Sequence, residues 1–181
     1  MPVPDPRAAN ELLVANAERW SEEGWGGLYG VRGIVAGSNI LFLGYNAHLN
    51  LDQTKASLKP VTDFLDSLPG KDSMTKIFQT LPNQFAAQND PVLFSILRGE
   101  AGVSLTRSSR LVPKKNFQTA EGQKAIVDAL MANKFGWGAV IASPTNFTLP
   151  DSDLPGGPGE ASVSPAWVSL AYEIKWLVES T

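Results

Sequence analysis

Two Gly- and aromatic-rich apolar stretches, separated by a turn, constrain this chain more than any other feature. Trp25-Gly26-Gly27-Leu28-Tyr29-Gly30-Val31-Arg32-Gly33-Ile34-Val35 leads into Gly37-Ser38-Asn39 and then into the apolar run Ile40 to Ala47. Aromatic and β-branched residues bounded by turn formers predict two strands joined as a hairpin.

Helical patterns flank it. Asp5 is placed to cap a helix with Pro6 in its first turn, and Ala9, Leu13, Ala17 and Trp20 recur on one face until Gly24. Asp52 to Leu68 spaces Ala56, Val61, Phe64, Leu65 and Leu68 helically, with Pro60 starting a new turn or kinking the helix and Pro69-Gly70 closing it. A third strand is expected near Thr75 to Leu81, an apolar segment at Pro91 to Leu97, and a further strand at Gly102 to Arg110. Thr119 then caps a helix that has Glu121 in its first turn and Ile126, Val127, Leu130 and Met131 on one side. Phe135 to Ser143 reads as a strand, and Pro144 to Ser162 as a flexible loop containing Pro155-Gly156-Gly157-Pro158-Gly159. Ser164 and Pro165 start a final expected helix, with Trp167, Leu170, Ala171, Ile174, Leu177 and Val178 facing inward. This order predicts an α+β fold in one domain, residues 1–181: an antiparallel sheet with helices packed on one face and the other open for a ligand or a dimer partner.

Composition removes several chemistries. The chain has no Cys, and hence no thiolate nucleophile, Cys-based metal site or disulfide; its one His is His48. No His-rich metal site can form, and a Ser-His-Asp triad would have to use that single imidazole. A net charge of −3 and a pI near 5.2 supply no basic footprint for nucleic acid. Neither a secretory signal nor an apolar run of membrane-spanning length is found, so a cytoplasmic protein with no membrane partner is expected. Asn146-Phe147-Thr148 reads as a coincidental loop tripeptide.

The candidate site lies at the end of the second strand. Tyr45, Asn46 and His48 are close together there, and strand alternation puts Asn46 and His48 on one side and Tyr45 on the other. His48 is suited to moving a proton near neutral pH, and Asn46 to donating to a substrate carbonyl; equally, both fit a turn that precedes Asp52. Arg107 and Arg110 stand on opposite faces of one strand, so one can meet a ligand or interface while the other is solvated. Arg98 and Glu100 read as rim charges. An open sheet face carrying Tyr29, Phe42, Tyr45 and Trp137 would be an apolar patch of the kind that binds a partner or a hydrophobic small molecule. Trp25 and Trp137, each beside Gly, suit a stacking wall, whereas Trp20, Trp167 and Trp176 fall on apolar helix faces. Gly26-Gly27 and Gly136 lack the helix N-terminus that a phosphate cradle requires.

Several short motifs occur in a telling order: Trp25-Gly26-Gly27, Phe42-Leu43-Gly44-Tyr45, Leu58-Lys59-Pro60, Ser109-Arg110-Leu111-Val112-Pro113, Phe117 through Leu130, and Ser162-Val163-Ser164-Pro165-Ala166-Trp167. In that order the chain resembles the substrate-binding (lid) domain of fungal berberine bridge enzyme-like FAD-linked oxidases. The family often continues Pro-Ala-Trp with Arg, where this chain has Val168. The resemblance implies a sheet whose open face looks onto a flavin and a substrate, while the flavin-binding parts themselves are not recognisable, so no cofactor is expected. Two functions follow from it. One is a cofactor-independent cyclase or isomerase, pericyclase-like, acting on a hydrophobic polyketide or terpenoid intermediate of fungal specialised metabolism; it would use His48, Asn46 and Arg107 as polar groups, Tyr29, Tyr45 and Trp137 as the binding wall, and a homodimer to enclose the pocket. The other is a non-catalytic ligand-binding or assembly module that partners a separate flavin-binding chain.

Overall fold

The computed structural model describes residues 6–31, 40–91, 105–132, 137–141 and 170–179. Helix α1 (Pro6–Glu22) opens on Pro6, whose fixed φ suits a first helical turn, and buries Ala9, Leu13, Val14, Ala17 and Trp20 along one stripe. Gly24, two residues past its end, adopts a left-handed φ of 83°. The chain then turns directly into β1 (Gly26–Val31), which pairs antiparallel with β2 (Ile40–Tyr45) as the sequence predicts; the connecting turn lies outside the described residues.

The Asp52–Leu68 segment divides where Pro60 requires it. Helix α2 (Leu51–Ser57) is started by Asn50 and Gln53 in a reciprocal capping box, and α3 (Lys59–Ser67) begins with Pro60 in its first turn. Gly70 follows with φ 86° and a 3-10 turn, Lys71–Ser73. Residues 74–82, where a third strand is expected near Thr75 to Leu81, form no strand. Lys76, Ile77, Gln79 and Thr80 are exposed, only Phe78 packs toward the core, and a Lys76–Asp66 ion pair at 2.5 Å ties the segment down. β-Prone residues without a strand to pair with do not make a ladder. A short helix, α4 (Gln84–Gln88), is capped by Asn83. Most of the Pro91 to Leu97 segment lies outside the described residues.

Strand β3 (Leu105–Pro113) continues three residues past Arg110, and a 3-10 turn, Lys114–Phe117, leads to α5 (Ala120–Ala132). As expected, Thr119 Oγ1 accepts from the Gly122 N–H at 3.1 Å, and Ile126, Val127 and Leu130 are buried with Met131 beside them. Strand β4 (Trp137–Ile141) falls inside the predicted Phe135–Ser143 strand. The expected C-terminal helix is instead a strand, β5 (Leu170–Glu179), which lies between β3 and β4. Leu170, Ile174, Leu177 and Val178 are compatible with a helical stripe, but Tyr172, Ile174, Trp176 and Val178 also alternate with Glu173, Lys175 and Glu179. Two flanking ladders select the period of two. Trp167, Gly136 and the Pro144–Ser162 loop lie outside the described residues.

The result is α+β: a five-stranded sheet in the order β2-β1-β4-β5-β3, antiparallel at every pairing. The core joins α1, α3, α5 and Phe117 to Trp25, Val112 and Phe42, so the helices pack on the sheet side that carries Phe42 and Val112. Trp20, fully buried, meets Phe42 edge-on with ring centroids 5.8 Å apart. No helix among the described residues is long and apolar enough to cross a membrane.

Candidate functional site

The site is a corner where the end of α1, the start of β1, the end of β2 and α2 converge. Alternation along β2 sends Phe42 into the core and leaves Tyr45 on the other side, 70% exposed. Tyr45 and Phe42 therefore do not share the open patch expected of them. Gly44 shares the Phe42 side, and a β-carbon there would come within 2.9 Å of the Trp25 ring. Gly26, the cross-strand partner of Tyr45, lies beneath the Tyr45 ring.

Register assigns the remaining candidates to faces. Tyr29 pairs with Phe42 and Ala139, and Trp137 with Val31 and Trp176, which places both strand positions on the helix-covered side. Arg107 pairs with Leu177 and alternates with Val112, so its position belongs to the Tyr45 side. On that side Leu43, Leu28, Val140, Glu173 and Leu111 form one row across all five strands. The wall expected from Tyr29, Tyr45 and Trp137 is thus split between two faces, whereas Arg107 and Tyr45 share one.

Strand β2 ends at Tyr45, and the next residues turn. Asn46 Nδ2 donates to the Glu23 carbonyl at 2.8 Å, and its Oδ1 accepts the N–H groups of His48 at 2.8 Å and Leu49 at 3.0 Å. The carboxamide that the sequence offers as a donor to substrate is invested in this turn, which holds His48 exposed three residues after Tyr45.

Behind the turn is a polar cluster that the sequence did not reveal. Glu23 and Arg19 form an ion pair at 2.8 Å; Arg19 also donates to Ser57 Oγ at 3.3 Å, to the Ser57 carbonyl at 3.0 Å and to Asn16 Oδ1 at 3.0 Å. The Trp25 indole N–H reaches Ser57 Oγ at 3.0 Å and Glu23 Oε2 at 3.3 Å, while the Ser57 hydroxyl donates to Glu23 Oε2. Trp20 Nε1 donates to the Ser57 carbonyl at 3.3 Å, and the Arg19 guanidinium lies 5.7 Å from the Trp20 ring centroid. Each buried polar atom here has a partner, which is what permits a polar cluster beside the core. A signal was present: Ser57 lies just before Leu58-Lys59-Pro60, where the helix must break and leave a carbonyl open.

Among the described residues, no group of three or more His, Asp or Glu is arranged to hold a metal. Gly27 sits within β1, paired to Gly44 of β2 and Ile141 of β4, so its backbone is part of the sheet.

The chain is similar to the FAD-linked oxidoreductase OXR2 of Pyricularia oryzae, with 26% identity over 167 residues that cover 92% of this chain and 25% of that protein. The chain therefore spans about a quarter of the length of that relative. No protein-family model and no solved structure matches it. The similarity is therefore a distant one, to a fungal FAD-linked oxidoreductase.

Proposed function

We propose that this chain is a ligand-binding module of the FAD-linked oxidoreductase type, whose Tyr45-side sheet face receives an apolar small molecule while any flavin is carried by another polypeptide segment. The observation that carries this reading is the partition of β2: Phe42 closes the helix-side core, and Tyr45, three residues on, stands 70% exposed over Gly26. An exposed aromatic over a glycine offers a flat apolar surface without a competing side chain. The paired backbone at Gly27 and the similarity to a FAD-linked protein four times the length of the match agree with a flavin held elsewhere.

A second reading, the cofactor-independent cyclase or isomerase, draws on His48, an exposed imidazole on the same corner. In it, His48 moves a proton and Arg107 meets a substrate oxygen from the shared face, with Asn46 holding the turn instead of touching substrate.

The test is titration of the purified chain with 1-anilinonaphthalene-8-sulfonate and, separately, with FAD. The expected result is saturable dye binding that Tyr45→Asp weakens at least about fivefold, by roughly 1 kcal/mol, and no saturable quenching of FAD fluorescence. Unchanged dye affinity in Tyr45→Asp overturns the assignment of the face, and tight FAD binding by the chain alone overturns the separation of flavin from this module.

A further inference from the structure

We infer that Glu23 is the positioning residue of the Tyr45–His48 corner, an inference that rests on the binding role proposed for that corner. Glu23 bonds to both halves of the assembly. Its carboxylate accepts from Arg19, Ser57 and Trp25, and its backbone carbonyl accepts from Asn46 Nδ2. Asn46 in turn fixes the amides of His48 and Leu49. The same three-residue stretch, Glu23 to Trp25, ends α1 and aims the chain into β1, since the Trp25 N–H donates to the Trp20 carbonyl at 3.0 Å and the Trp25 ring packs against Gly44.

The side chain and the carbonyl of Glu23 thus grip opposite sides of one corner. The carboxylate holds the last turn of α1 against Ser57 at the end of α2. The carbonyl, fixed by that grip, sets where Asn46 sits, and so where the exposed Tyr45 and His48 stand. The carboxylate's partners are cationic or good donors, and charge-assisted bonds of this kind are the stronger ones. Arg19 is about two-fifths exposed and Glu23 under one-third, so the cluster is partly shielded without being sealed. Loosening the carboxylate is transmitted to the corner through one carbonyl and one carboxamide, with no rearrangement of the sheet.

Because His48 is the sole histidine, its ring Cε1–H proton gives one unambiguous NMR signal at the site. The experiment compares Glu23→Ala, Glu23→Gln and Ser57→Ala with a core control, Val127→Ala, whose side chain is buried in α5. Each is measured for the His48 ring resonance and for affinity toward 1-anilinonaphthalene-8-sulfonate. The expected outcome is a displaced His48 resonance and about five- to tenfold weaker dye binding in Glu23→Ala, partial recovery in Glu23→Gln, and neither change in Val127→Ala despite its loss of stability. If Glu23→Ala does not fold, Ser57→Ala is expected to show the same displacement at smaller amplitude. A His48 resonance that moves no more in Glu23→Ala and Ser57→Ala than in Val127→Ala overturns the inference. Failure of the wild-type chain to bind the dye, with the resonance still displaced in Glu23→Ala, overturns the binding role of the corner and leaves Glu23 as its positioning residue.

Discussion

The ring of Tyr45 covers Gly26, its cross-strand partner: a β-carbon built on Gly26 would stand 2.5 Å from Tyr45 Cζ and 2.7 Å from its hydroxyl oxygen. The neighbouring Gly27 is constrained differently. Its φ is +151°, and a β-carbon there would strike the Leu43 carbonyl and the Gly44 Cα, which are backbone. Gly26→Ala can be absorbed by swinging an exposed ring aside, at less than about 1 kcal/mol. Gly27→Ala has no such outlet and is expected to cost about 1–3 kcal/mol. Denaturant midpoints of the two variants measure the difference, and equal losses would refute it.

Ser57→Ala should destabilise the protein by about 1–3 kcal/mol, because the hydroxyl is buried among three polar neighbours and its removal leaves the Trp25 indole N–H with only the longer bond to Glu23. Trp25 is nearly fully buried, so a changed indole environment should accompany the loss as a shift in tryptophan emission. A stability change near zero would show that the cluster is dispensable.

Asn46→Ala removes three hydrogen bonds from the turn between β2 and α2. The expected cost is about 1–2 kcal/mol, with faster proteolytic cleavage around residues 46–50. Asn46→Asp keeps the two accepting bonds but loses the donation to Glu23, and it should fall between wild type and Asn46→Ala in both measurements.

Much of the architecture was legible because local chemistry dictated it. Pro6, Pro60 and Thr119 mark helix starts, and the Gly-aromatic stretches mark the hairpin. β5 is ambiguous in the sequence because Leu170, Ile174, Leu177 and Val178 fit a helical stripe while Tyr172, Ile174, Trp176 and Val178 fit a period of two, and only pairing to β3 and β4 chooses between them. At the site, the positions of Tyr45 and His48 at a strand end were readable. The faces of Tyr29 and Trp137 were not, since they follow from strand order, which no local pattern encodes. Glu23 and Ser57, 34 residues apart, meet only once α1 and α2 are packed.

Asp128 links α5 to α1 through Arg7 at 3.0 Å and also pairs with Lys124. The Lys124 hydrogen bond, then that of Arg7, holds its carboxyl below the ordinary aspartate value. A depressed carboxylate stabilises the fold above its unfolded-state value and loses that contribution as pH falls through the folded-state value. Asp128→Asn should therefore be slightly less stable than wild type at pH 7 and match it at strongly acidic pH. The exposed setting keeps the effect small. A gap that widens on acidification would contradict this assignment.

The most direct measurement of the proposed role is backbone amide NMR of the chain titrated with 1-anilinonaphthalene-8-sulfonate, read residue by residue across the sheet. Dye on the Tyr45 side should perturb Gly26, Leu28, Leu43, Tyr45 and Val140, leave Leu13, Val127 and Leu130 in the helix-side core in place, and lose those perturbations in Tyr45→Asp. Perturbations concentrated on α1 and α5, or unchanged by Tyr45→Asp, would contradict a ligand-binding face at Tyr45.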